Sequence, residues 1–220
     1  LVDPIPYMES VTNIEASHGG TDTEDDDALS ERVFLAPSVF SCAGPADAYV
    51  YYAKAWRNDV ADVKIDSPEP CEVDIYCLLG DDGRLPTGTE LKEMQAYFAD
   101  GDKVKRPLTD KVEGSAPTIQ SYDIELKYYT TAVNETAVVE NIESSGGSID
   151  QYIYWQGSSL DRNINPDYLR KLILCPEDSD GNHLTGADRV DIIKPVYTEL
   201  SATTVAKFSG KLTVSHEVEG

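Results

Sequence analysis

From Ile119 to Thr131 the chain alternates apolar and polar side chains for longer than anywhere else in its length. Ile124, Leu126 and Tyr128 share one parity, a period that fits an extended strand with one buried face. Such a strand needs neighbours to pair with and a layer to lie on it, so it fixes the kind of unit around it. Leading toward it is Arg106-Pro107-Leu108-Thr109-Asp110. Pro107 has no N–H to donate and a fixed φ, and it pushes Arg106 out of the helical region. Thr109 and Asp110 can bond to nearby backbone and so hold a bend. Before this stretch lies a helix signal from about Thr87 to Ala99. There Thr87 and Glu90 have the spacing of a capping box, and Leu91, Met94, Tyr97 and Phe98 give one face. Residues 106–110 therefore read as a helix-to-strand connector, with Arg106 and Asp110 expected to fix it by a local salt bridge or a backbone cap.

The rest of the chain gives helices and short strands in mixed order. Thr21-Asp-Thr-Glu-Asp-Asp-Asp27 places carboxylates where a helix begins, opposite the positive end of its dipole. Leu29, Val33 and Ala36 then share a face until Pro37 ends it. As a metal cluster this run lacks a second set of ligands. Gly44-Pro45 opens the next helix, with proline in the first turn and Ala48, Tyr52, Ala55 and Trp56 as its apolar stripe. Val63 and Ile65 alternate with Asp62, Lys64 and Asp66. After the turn at Ser67-Pro-Glu-Pro70, Val73, Ile75 and Cys77 alternate with Glu72, Asp74 and Tyr76. Both patterns predict an antiparallel pair with one wet face.

Beyond the long run, Val138, Val139, Ile142, Ile149, Tyr152 and Ile153 predict helix, which Gly146-Gly147 either breaks or sits inside. Asn165-Pro166 has the form of an N-cap and first helical residue. The helix it opens is faced by Leu169, Leu172 and Ile173 and stopped at Cys175-Pro176. Strands at Arg189–Ile193 and Val205–Val214 finish the chain. The expected class is α+β, with helices packed on small antiparallel or mixed sheets. Two successive subdomains, 21–116 and 117–220, follow an extended lead-in or linker over 1–20.

The net charge of −22 would repel the phosphates of nucleic acid and an anionic membrane surface, so neither is expected as a partner. No apolar run is long enough to span a bilayer and no signal peptide opens the sequence. A chain that starts at Leu1 reads as a fragment or a processed form. Cys42, Cys71, Cys77 and Cys175 fit no zinc spacing, and Cys71 and Cys77 on one strand stand too far apart to bridge. They are expected to be reduced thiols in a chain made in a cytosol. Asp178-Ser-Asp-Gly181 looks like part of a calcium loop. However, Pro176 stands where the first ligand belongs and no bidentate Glu follows, so it reads as a turn.

His18, His183 and His216 fall in loop or terminal signals. The chain has no nucleophile elbow, zinc-protease helix, phosphate loop or dinucleotide fingerprint. Among 40 acidic residues any glycosidase-like pair can be named, and none is informative. No catalytic, metal or cofactor-binding residue is expected. A hydrolase built on acidic residues is the enzyme alternative. A carbohydrate-binding module is a weaker one, because the tyrosines and tryptophans fall on core-facing periods.

Arg106-Pro-Leu-Thr-Asp110-Lys-Val112, followed by a strand like Tyr122-Asp-Ile-Glu-Leu126, resembles the J-like baseplate protein family of contractile phage tails. Leu29-Ser-Glu-Arg32-Val, Ala43-Gly-Pro-Ala46 with its aromatic helix, and Val60-Ala-Asp-Val63 leading into Val73-Asp-Ile-Tyr76 resemble it in the same order. The likeness runs from about Leu1 to Val214. It implies a structural part of a baseplate wedge rather than an enzyme, made in the bacterial cytoplasm from a phage or prophage gene and carried in the virion tail baseplate. It implies partners among the other wedge subunits, including a lysozyme-like wedge protein, and self-association in a ring. A tailocin or other contractile injection particle would use the same kind of part. The resemblance carries over no catalytic or metal residue. It makes Arg106, Pro107, Leu108, Thr109 and Asp110 candidate interface residues.

Overall fold

In a computed structural model of the chain, residues 25–40, 44–99, 105–178 and 181–219 are described. The expected lead-in over 1–20 and the readings of His18, Cys42 and residues 100–102 lie outside them. Helix α1 (Asp26–Leu35) starts at Asp25, whose carboxylate accepts from the Ala28 N–H at 2.8 Å. A 3-10 turn (Ala36–Phe40) and α2 (Ala46–Trp56) follow. Next come β1 (Val60–Asp66), β2 (Glu72–Leu79), α3 (Gly88–Ala99) and β3 (Lys111–Ser115). The sheet order is β1-β2-β3, with β1 antiparallel and β3 parallel to β2. Val73, Ile75, Cys77 and Leu79 line its inner face, under Tyr49 and Ala53 of α2 and Met94 and Phe98 of α3.

The long alternating run is β4 (Thr118–Thr131), the central strand of a second sheet. Helices α4 (Glu135–Glu143), α5 (Ser148–Gly157) and α6 (Pro166–Leu174) precede β5 (Arg189–Lys194) and β6 (Thr204–Glu219). β5 pairs antiparallel with β4, and β6 pairs parallel with it from Thr118↔Thr204 to Thr131↔Glu219. Tyr122, Ile124, Leu126 and Tyr128 face a core built with Val138, Ile142, Ile149, Tyr152, Leu169 and Ile173 from the three helices. The architecture is α+β, two small mixed sheets with helices laid on them.

Several expectations are resolved in detail. Gly146 takes φ +81 and Gly147 caps α5, so the glycine pair breaks the helix. A left-handed φ suits glycine because there is no Cβ to clash. Asn165 caps α6 by accepting from the Asp167 N–H at 3.0 Å. The Thr87–Glu90 box forms in both directions: the Thr87 N–H reaches the Glu90 carboxylate at 2.8 Å and the Glu90 N–H reaches the Thr87 hydroxyl at 3.3 Å.

Other expectations are corrected. Leu29 and Val33 do not face a core; both are exposed, and Leu35 is the buried residue of α1. Of the expected stripe of α2, Ala48 is buried and Tyr52 and Trp56 pack against the core, but Ala55 is exposed, and Tyr49 and Ala53 are the other buried residues of the face that meets β1. Pro45 stands at the N-cap of α2 rather than within its first turn. The connector leads first into β3, which alternation misses: in Lys-Val-Glu-Gly-Ser only Val112 reaches the core. β6 runs on to Glu219, held by its parallel ladder with β4.

Candidate interface at the connector and the seam

Residues 107–110 form a tight turn, closed by the Asp110 N–H on the Pro107 carbonyl at 3.2 Å. The Arg106 guanidinium donates to the carbonyls of Pro107, at 3.3 Å, and Asp110. It therefore caps backbone. The Asp110 carboxylate accepts instead from the Tyr49 hydroxyl and from Thr109 Oγ1 at 3.2 Å. Burial, then the Asp110 carboxylate, holds the Tyr49 phenol well above its ordinary range, so it donates at any physiological pH. The Pro107 ring lies against the backbone of Gly44. With its polar groups tied back, the turn presents Leu108, 96% exposed, at its apex.

Beside the turn lies a cleft of about 250 Å³, lined by Tyr49, Ile65, Ser67, Cys71, Glu72 and Asp110 among others. A second of about 260 Å³ carries Asp25, Asp27, Glu31, Asp59 and Asp81 with Lys54, which donates to Glu31. Both are open to solvent. Among the described residues no group of three or more His, Cys, Asp or Glu is arranged to hold a metal ion. His183 and His216 each approach one glutamate, Glu177 and Glu135. Cys71, Cys77 and Cys175 are free thiols, and burial pushes that of Cys77 up to about 12.

Sequence reasoning missed the seam where the two sheets meet. The face of β2 predicted to be wet is dry at Leu78, which packs with Leu160 and Val205. On β1, Asp62 accepts from Ser159 Oγ at 2.9 Å and from the Leu160 N–H at 2.8 Å. From β6, the Lys207 ammonium donates to the carbonyls of Asp82, Gly83 and Gly157 at 3.2, 2.7 and 2.8 Å. Three donors meet three acceptors, and a cation sits at the negative C-terminal end of α5. In sequence Gly80-Asp-Asp-Gly83 reads only as a turn, and the close approach of Gly83 to the Gly157 backbone is seen only in the fold.

A charge cluster braces the other side of that turn. Glu90 accepts from Arg84, at 2.7 and 3.0 Å, and from Arg57 at 2.8 Å, with only 14% of its side chain exposed. The Arg84 hydrogen bonds, ahead of the Thr87 cap, hold its carboxyl well below the free value of 4.5. A depressed carboxyl stabilises the fold fully above its unfolded pKa, and that contribution is lost as pH falls toward the folded value. Glu90→Gln is expected to cost about 2 kcal/mol at neutral pH, the scale of hydrogen bonds to charged groups. It should also flatten the fall in urea midpoint below about pH 5. A midpoint that falls as steeply in the variant would mean that other carboxylates set the acid sensitivity.

No curated protein matches the chain. The model of the Baseplate J-like central domain matches residues 41–116, about a third of the chain. That segment holds the first sheet, its two helices and the connector, and ends just past β3. No helix among the described residues is long and apolar enough to cross a membrane. Over that segment the chain is similar to the Baseplate J-like central domain, which points to a structural role in a phage baseplate.

Proposed function

We propose that the chain is the body of a wedge subunit in the baseplate of a contractile tail, acting in baseplate assembly and not as an enzyme. The observation that carries this is the central-domain match over residues 41–116. In support, the matched unit is joined to the second sheet by the Lys207, Asp62 and Leu78 contacts, as a part that transmits force through packing requires. On this reading the neighbours are other wedge subunits, a lysozyme-like wedge protein among them, and copies of the chain itself in a ring of closed symmetry. The chain works in the virion tail after synthesis in the bacterial cytoplasm. The Leu108 turn is the surface proposed to meet a neighbour.

The test is the particle. The parent protein should co-purify with assembled tails at a fixed ratio to the tube protein; finding it only outside particles would overturn the reading. Leu108→Asp should leave the melting temperature unchanged, since surface changes stay within about 0.5 kcal/mol, while lowering incorporation into tails. Incorporation at the wild-type level would remove this turn from the interface.

A further inference from the structure

Among the described residues β6 is an outer strand of its sheet, with no strand paired on its far side. Past Gly210 its inner face carries Leu212, Val214, His216 and Val218 in alternation. Their β4 partners Ile124, Leu126 and Tyr128 are essentially fully buried, whereas Leu212 is 48% and Val218 39% exposed. An edge of this length ordinarily carries a device against pairing, such as proline, a lysine pointing inward or a bulge. Here the bulge opposite Asp123 and Lys211 lie at one end of the segment, at residues 209–211, and Leu212 to Glu219 hold neither proline nor lysine.

The opposite face of the same sheet differs in charge from the rest of the molecule. Lys127, Arg189, Lys194 and Lys211 alternate there with Asp123, Glu125, Asp191, Glu217 and Glu219, pairing across strands. In a chain of net charge −22 the four cations set here against five carboxylates lower the repulsion that a second copy meets beside this edge. The edge sequence is also complementary to itself about Val214. Antiparallel pairing there sets Thr213 against Ser215, Leu212 against His216, and Lys211 against Glu217 of the second copy.

We propose that the outer edge of β6, unpaired among the described residues, is a self-pairing surface, on which two copies of this chain join antiparallel about Val214 into one continuous sheet. The pairing gives the self-association within the baseplate reading a surface. It rests on that reading for its place in a particle, but not for its chemistry.

The experiment uses the full chain in sedimentation velocity over a range of concentrations, with circular dichroism to confirm folding. A monomer–dimer equilibrium is expected. Lys211→Glu and Glu217→Lys should each weaken it by roughly tenfold or more, since the symmetry sets two like-charge pairs across the join. The double exchange should restore it. Val214→Cys, with Cys42, Cys71 and Cys175 changed to Ser, should form a disulfide dimer on mild oxidation, because facing residues stand about 4.5–5.5 Å apart. A chain that stays monomeric, or a dimer indifferent to the single charge changes, overturns the proposal. So does a monomer whose Lys211→Glu form is lost from particles, which would give the edge to a different subunit. None of these results touches the baseplate reading, which the particle test decides.

Discussion

Gly83→Ala should lower stability by about 2–4 kcal/mol and make the two sheets unfold separately, through a strained φ and an overpacked contact. Gly83 takes φ +64, and a Cβ there would stand 2.3 Å from the Gly157 carbonyl oxygen and 2.7 Å from Ser158 Cα. Both obstacles are backbone, so no rotamer change relieves them. The turn must withdraw, and the Lys207 ammonium then loses the Asp82 and Gly83 carbonyls while still facing Gly157. The chain carries its own probes. Trp56 lies in α2 on the first core and Trp155 in α5 on the second. In single-tryptophan forms made by Trp56→Phe or Trp155→Phe, the two fluorescence melts should coincide in the parent and separate in the Gly83→Ala background. Coincident melts with an unchanged midpoint would mean that the turn yields and the seam is not rigid.

How much of this was legible in the sequence depends on what each feature needed. Tyr122 to Tyr128 could be read because one face of β4 meets a core and the other meets water, so parity reports burial. Asn165, Glu90 and the glycine pair could be read because caps and helix breaks are local chemistry. β3 could not, since it is a strand by virtue of pairing in parallel with β2, a fact recorded nowhere in Lys-Val-Glu-Gly-Ser. Leu29 and Val33 misled for the opposite reason: they are spaced as a helix face, but nothing among the described residues covers them. For the candidate site, the sequence placed the bend at 106–110 but not what holds it. Tyr49, sixty-one positions away, takes the Asp110 carboxylate that local reading had offered to Arg106. The seam was hidden for the same reason, since Asp62 and Leu160 or Lys207 and Gly83 meet only through the fold.

Phe98→Ala should cost about 3–5 kcal/mol, the range for emptying a core aromatic site. Phe98 is 2% exposed on α3, with ring contacts to Tyr49, Tyr52 and Tyr97 at 6.1, 6.4 and 5.6 Å. These neighbours are anchored on α2 and α3 and cannot all collapse into the space. For a chain of this size about 2–4 °C of melting temperature goes with each kcal/mol, so the loss should be roughly 10 °C. The informative signal is again Trp155, which touches none of the cavity. If the Lys207, Asp62 and Leu78 contacts make the sheets one cooperative unit, the Trp155 melt must fall with the Trp56 melt, because a defect anywhere in such a unit destabilises all of it. With Gly83→Ala added, the same cavity should move the Trp56 melt alone. A Trp155 melt unmoved by Phe98→Ala in the parent chain would show two independently stable blocks. The seam would then be a contact that a baseplate movement could open, rather than the joint that makes the two sheets act as one.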